Sequence, residues 1–76
     1  MYTFREFANL VGTTIRTLRY YEKIGLLNPI DHDGIKHIDA SYVVTYQTIQ
    51  LLKQANYTLE QIKQLLQNQH LNDQLL

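Results

Sequence analysis

The side chains best suited to chemistry fall between positions 16 and 23. Arg16, Arg19 and Lys23, with Tyr20 among them, recur at intervals of three and four residues. At about 100° per residue, that spacing puts all four on one face of a helix. A guanidinium presents a planar fork of donors and grips a phosphate, or the edge of a guanine, through two hydrogen bonds at once. Lysine adds a point charge, and tyrosine a hydroxyl on a flat ring. The one close carboxylate, Glu22, falls toward the apolar side of the same helix. Nothing comparable supports bond-making chemistry. The chain has no Cys, which removes thiol catalysis, thiolate metal sites and disulfides. His32, His37 and His70, with Asp31 and Asp33, match no zinc-ligand spacing. No nucleophile–base pair or glycine-rich phosphate loop is present. The expectation is a binding protein without metal or cofactor, not an enzyme.

The elements that must position this face can be read from caps and periodicity. Thr3 and Glu6 have capping-box spacing, Tyr2 and Phe7 that of a hydrophobic staple. Phe4, Phe7, Ala8 and Val11 follow the helical i, i+3, i+4, i+7 pattern, and Gly12 suits the left-handed stop. A second helix starts one or two residues later, capped by Thr13 or Thr14, and ends at Gly25. Ile15, Leu18 and Tyr21 are its expected core side. Two helices joined this tightly through a glycine read as a helix-turn-helix. Leu26 and Leu27 are core candidates, and Pro29 prevents the helix from continuing. Asp33-Gly34 between Ile30 and Ile35–Ile38 predicts a small β-hairpin. Asp39 is then a cap for a third helix reaching Ala55, with Val43, Tyr46, Ile49, Leu52 and Ala55 as its stripe and Leu51 widening it. Asn56 is placed to take the left-handed stop. Thr58 and Gln61 form another capping box, with Tyr57 and Ile62 as staple, opening a fourth helix whose apolar face is Leu59, Ile62, Leu65 and Leu66. Leu71, Leu75 and Leu76 are spaced to prolong it. The fold class is therefore mainly α, in the order helix-helix-hairpin-helix-helix, the hairpin standing where a wing follows a helix-turn-helix.

At 76 residues the chain makes one small domain. Its hydrophobic content of 45% argues against wholesale disorder. No apolar run approaches the roughly 20 residues needed to span a bilayer, and no signal peptide is visible, so a cytoplasmic protein is the default. Seven basic and seven acidic residues cancel to a formal net charge of zero, unusual for a nucleic-acid binder. The cancellation is regional. Between positions 13 and 28, Arg16, Arg19 and Lys23 face Glu22 alone, a local +2 (three minus one).

The run Thr14-Ile15-Arg16-Thr17-Leu18-Arg19-Tyr20-Tyr21-Glu22, followed by Ile24-Gly25-Leu26-Leu27 and Pro29, closely resembles the recognition-helix block of MerR-type transcriptional regulators. Tyr2-Thr3-Phe4 with Glu6, Ala8 and Gly12 resembles the first helix of that family. Tyr57 to Lys63 with Leu65-Leu66 resembles the helix after its third. The likeness covers about residues 2 to 66. It implies a winged helix-turn-helix DNA-binding domain over 1–66 and, over 67–76, a tail that begins a dimerisation helix. It further implies a homodimer on double-stranded promoter DNA, distortion of the promoter spacer, and an effector ligand bound by a C-terminal region missing here, so that truncation of a longer chain is expected. Two other readings use the same elements: an excisionase-like architectural DNA-binder and a helical protein-interaction module.

Resemblance and face analysis together place the second helix in the major groove. Arg16 and Arg19 are the leading contacts, to phosphate or to guanine. Tyr20 offers its hydroxyl to phosphate or its ring to sugar or a thymine methyl. Lys23 suits phosphate, and Thr14 lies where free N–H groups at a helix start attract one. Tyr57 and Thr58 form a second candidate phosphate site. The wing departs from the family: where Gly-Tyr-Arg-x-Tyr is usual, this chain has Gly34-Ile35-Lys36-His37-Ile38. Lys36 keeps the charge without the bidentate fork, and Asp31 and Asp33 near the tip repel phosphate.

Overall fold

A computed structural model describes residues 1–75, with side chains through Asn68. In chain order its elements are β1 (Tyr2–Thr3), α1 (Phe4–Val11), α2 (Ile15–Ile24), β2 (Ile30–His32), β3 (Ile35–Ile38), α3 (Tyr42–Gln54) and α4 (Leu59–Leu75). They fall into two compact units, Met1–Val44 and Thr45–Leu76.

The first unit begins with the capping box read from the sequence. The Glu6 N–H donates to the Thr3 hydroxyl (3.1 Å) and the Thr3 N–H donates to the Glu6 carboxylate (2.8 Å). Tyr2 meets Phe7 edge-on, with ring centroids 6.1 Å apart, as the staple requires. Gly12 stops α1 at φ 77°, its N–H and that of Thr13 both donating to the Ala8 carbonyl (2.9 Å each). Between the last turn of α1 and the start of α2 there is thus room for only a left-handed glycine, Thr13 and the cap Thr14. The N-cap of α2 is Thr14, whose hydroxyl accepts from the Thr17 N–H. Gly25 ends α2 with the same device, its own N–H reaching the Glu22 carbonyl and that of Leu26 the Tyr21 carbonyl.

After Pro29 the chain turns into the hairpin. Its central residues Asp33 and Gly34 both have positive φ, 54° and 79°, as a type I′ turn demands. The Asp31 carboxylate accepts from the Gly34 N–H (2.9 Å) and steadies the turn. The sheet contains more than the hairpin. Tyr2 and Thr3 pair antiparallel with Ile38 and His37, giving a three-stranded order β1-β3-β2. Two residues carry no period-2 signal, so this edge strand was not legible in the sequence. It ties the start of the chain to the wing.

The core of this unit is Phe7, Ala8, Leu18, Tyr21, Leu26, Leu27 and Ile38, all buried. Burying one large apolar side chain fully is worth about 1.5–3 kcal/mol, a sizeable part of a small domain's stability. Tyr42, at the start of α3, tilts its ring against Phe7 (5.5 Å between centroids) and donates its hydroxyl proton to the Leu26 carbonyl (2.9 Å).

The third helix corrects the sequence reading at both ends. Asp39 does not cap it directly. Its carboxylate accepts from the Ser41 N–H (2.9 Å) and the Ser41 hydroxyl, closing an Asx-type turn, and the helix begins at Tyr42. Tyr46 and Ile49 are buried, and Val43 and Leu52 are half-buried. Leu51 is 66% exposed and does not widen the stripe, because it lies about 200° round the helix from Ile49. Ala55 is exposed and lies past the helix end.

The second unit is built on the α3–α4 turn. Asn56 takes the left-handed stop at φ 69°. Its N–H donates to the Lys53 carbonyl and that of Tyr57 to the Leu52 carbonyl, both at 3.0 Å, the Schellman pattern. Thr58 and Gln61 form the expected reciprocal box at 2.9 and 3.1 Å. Ile62 is fully buried, Leu59 and Leu66 half-buried, and Leu65 42% exposed. The Leu71-Leu75-Leu76 seam and the imidazole of His70 lie outside the described side chains. Among the described residues, no helix is long and apolar enough to cross a membrane.

Candidate nucleic-acid interface

The geometry of α2 separates two faces. Leu18 and Tyr21 are buried and Ile15 is half-buried, which fixes the rotation of the helix on its own unit. That rotation leaves Arg16, Arg19, Tyr20 and Lys23 exposed, Tyr20 by 51%. Among the described residues none of the three cations on this face has an ion-pair partner. Cations without an ion pair among the described residues are available for an external anion at no cost in broken salt bridges.

Thr14 stands at the head of this helix. Its hydroxyl accepts from the Thr17 N–H (3.1 Å) and donates to the Thr17 hydroxyl (3.0 Å). With the hydroxyl engaged both ways, the groups left for an anion at this end are the first backbone N–H groups of α2.

Glu22, the one acid of the helix, is tied to the wing. Lys36 on β3 places its ammonium 2.5 Å from the Glu22 carboxylate, whose side chain is only 26% exposed against 55% for Lys36. The charge of Lys36 is therefore compensated within the chain. The pair also links α2 to β3, fourteen residues away. A groove runs between the first turn of α1, α2 and the hairpin, lined among others by Arg5, Arg19, Glu22 and Lys36. Arg5 was not singled out from the sequence, because it precedes the recognition-helix block and its spacing from Arg16 and Arg19 signals nothing until α1 and α2 are folded together.

On the wing, His37 is half-buried, its Nδ1 lying 3.0 Å from the Ile35 carbonyl and its ring edge-on to His32 at 5.9 Å. Ile30 and Ile35 are exposed, at 45% and 57%. In the second unit, Tyr57 is 42% exposed and Thr58 exposed, both at the head of α4. Thr58 is a cap, its hydroxyl accepting from the Gln61 N–H. Of the eight residues singled out in the sequence, the first unit holds six: Thr14, Arg16, Arg19, Tyr20 and Lys23 along α2, with Lys36 beside it. Tyr57 and Thr58 belong to the second unit.

A helix-turn-helix followed at once by a hairpin, with a cationic exposed face on its second helix, defines a winged helix-turn-helix DNA-binding domain. The family model of MerR HTH regulatory proteins matches residues 2–69, and the chain belongs to that family, one of DNA-binding transcription regulators and not of enzymes. No curated protein and no solved structure matches the chain.

Proposed function

We propose that the chain regulates transcription as a homodimer that lays two copies of α2 in successive major grooves of a pseudo-palindromic promoter site. The observation that carries this reading is the uncompensated cationic face of α2. Arg16 and Arg19 are the principal contacts, to phosphate or to a guanine edge. Tyr20 packs against sugar or a thymine methyl, Lys23 meets phosphate, and the free N–H groups at the N-terminus of α2 by Thr14 donate to a phosphate oxygen of the DNA backbone. Tyr57 and Thr58 offer a further phosphate site at the head of α4. Lys36 contributes through the wing, weakened by its bond to Glu22. An effector binds a further region of the protein and shifts the distortion of the promoter spacer, so that deformability adds to specificity. A cytoplasmic site of action fits this role.

Replacing both Arg16 and Arg19 by Ala removes two exposed guanidinium groups and no buried contact. The double variant is expected to keep its far-ultraviolet circular dichroism and to lose at least about thirtyfold in DNA affinity, since each good bidentate contact is worth about 1–3 kcal/mol and each 1.4 kcal/mol is about tenfold. Unchanged affinity in a gel-shift titration would remove α2 from the interface.

A further inference from the structure

Arg5 is a cationic side chain that neither the fold nor the face of α2 accounts for. We propose that it is a DNA-backbone contact, and that it seats one phosphate together with Arg19 in the groove between the first turn of α1, α2 and the β2–β3 hairpin. The inference rests on α2 being the DNA-facing helix and goes beyond it, because it adds a residue from the helix before.

The charges around the groove decide who can serve. Arg5, Arg19 and Lys36 face Glu22, three cations against one carboxylate. Lys36 is already held by that carboxylate. The net +2 therefore resides on Arg5 and Arg19, both exposed and, among the described residues, both without an ion-pair partner. Two guanidinium forks lining one open groove suit a phosphodiester, whose two free oxygens can each accept from one of them.

The position of Arg5 within α1 points the same way. It is the second residue of a helix that starts at Phe4, where the free N–H groups make a positive end and a cation is disfavoured. Glutamate or aspartate is the residue type that suits this turn, and Glu6 next to it conforms. A side chain that opposes the local field and, among the described residues, gains no hydrogen bond or ion pair is explained by a partner outside the chain. An anion in the groove reverses the sign of the local effect. Lys36 lacks the fork and is engaged by Glu22, so on the wing side of α2 Arg5 supplies the bidentate group.

The test is a salt titration of binding to a fluorescein-labelled mixed-sequence duplex of about 20 base pairs, followed by anisotropy from about 50 to 200 mM salt. The chain is compared with Arg5→Ala, Arg5→Lys, Arg16→Ala and Arg19→Ala. Loss of one phosphate contact makes the slope of log affinity against log salt shallower by about 0.9. Because Arg19 stays on the shared phosphate, Arg5→Ala is expected to show part of that change, with an affinity about 3- to 10-fold lower at about 100 mM salt. Arg5→Lys is expected to restore the slope, because it restores the charge, while recovering only part of the affinity, because the fork is gone. The thermal midpoint of Arg5→Ala is expected to equal or exceed that of the parent. An unchanged slope in Arg5→Ala, beside shallower slopes in Arg16→Ala and Arg19→Ala, would overturn this inference and leave α2 as the DNA-facing helix. Unchanged slopes in all three alanine variants would overturn both. A lowered midpoint in Arg5→Ala, with no recovery of slope in Arg5→Lys, would make Arg5 a structural residue and also overturn it.

Discussion

Glu6 and Arg5 are neighbours in the first turn of α1, and the same backbone field acts on them with opposite sign. The Thr3 N–H donates to the Glu6 carboxylate, and this bond, with help from the Thr3 side chain, holds the Glu6 carboxyl below its ordinary value of 4.5. A depressed carboxyl stabilises the fold above the pKa of the unfolded chain, and the stabilisation fades as pH falls through the lower folded value. Glu6 is exposed, so solvent screening keeps the contribution small. Asp39, held below 3.8 by the Ser41 hydroxyl and N–H, behaves alike. Glu6→Gln retains an acceptor for the Thr3 N–H but does not titrate. Denaturant unfolding at several pH values between roughly 5 and 2 is expected to give this variant a flatter acid limb than the parent. Coincident limbs would mean that the carboxylate bond is not formed in solution.

Three helices end by the same device, a left-handed residue whose N–H and that of its successor fold back onto the last turn. Gly12 and Gly25 fill the position in the first unit and Asn56 in the second. The hairpin depends on left-handed backbone more strongly, since Asp33 and Gly34 are consecutive. A Cβ at Gly34 would meet nothing within 4 Å, so the cost of Gly34→Ala comes from the backbone alone. It should be about 1–2 kcal/mol, a fall of roughly 5–15 °C in the midpoint of a domain this size. A thermal melt showing no fall would mean that the turn relaxes to another type. The wing also depends on β1. Ile38 is fully buried on the central strand, paired with Tyr2 on one side, while its neighbour His37 pairs with Ile30 on the other. Deleting Met1 to Thr3 would therefore remove a sheet edge as well as the cap of α1.

Charge at the scale of the chain sums to zero, yet the sum hides how it is spent. Glu22 neutralises Lys36 and Asp33 lies 3.7 Å from His32, while Arg5, Arg16, Arg19 and Lys23 carry no internal partner among the described residues. With Arg5 and Arg19 sharing one phosphate and Arg16 and Lys23 each on another, three phosphates per copy correspond to a salt slope of about −3, and a dimer engaging two copies to about −5. The isolated 76-residue chain is expected to be largely monomeric and to bind weakly, with the smaller slope. Sedimentation equilibrium beside the salt titration separates the cases: nanomolar binding by a monomer would contradict a requirement for two copies.

Much of the architecture was legible because it is encoded locally. The boxes at Thr3–Glu6 and Thr58–Gln61, the stops at Gly12, Gly25 and Asn56, and the Asp33-Gly34 turn each depend on backbone geometry within about four residues, which residue type alone can specify. The clustering of Arg16, Arg19, Tyr20 and Lys23 on one face follows from helical period alone. The sequence also misled where a local signal had competitors: Asp39 bonds to Ser41 instead of capping α3, and Leu51 faces outward although its type suggested core. What only the tertiary structure decided are relations between distant segments. The pairing of Tyr2 with Ile38, the grip of Glu22 on Lys36 and the convergence of Arg5 and Arg19 on one groove join residues from 14 to 36 positions apart. Such contacts depend on how buried faces dock, and no periodicity within a single helix or strand records that.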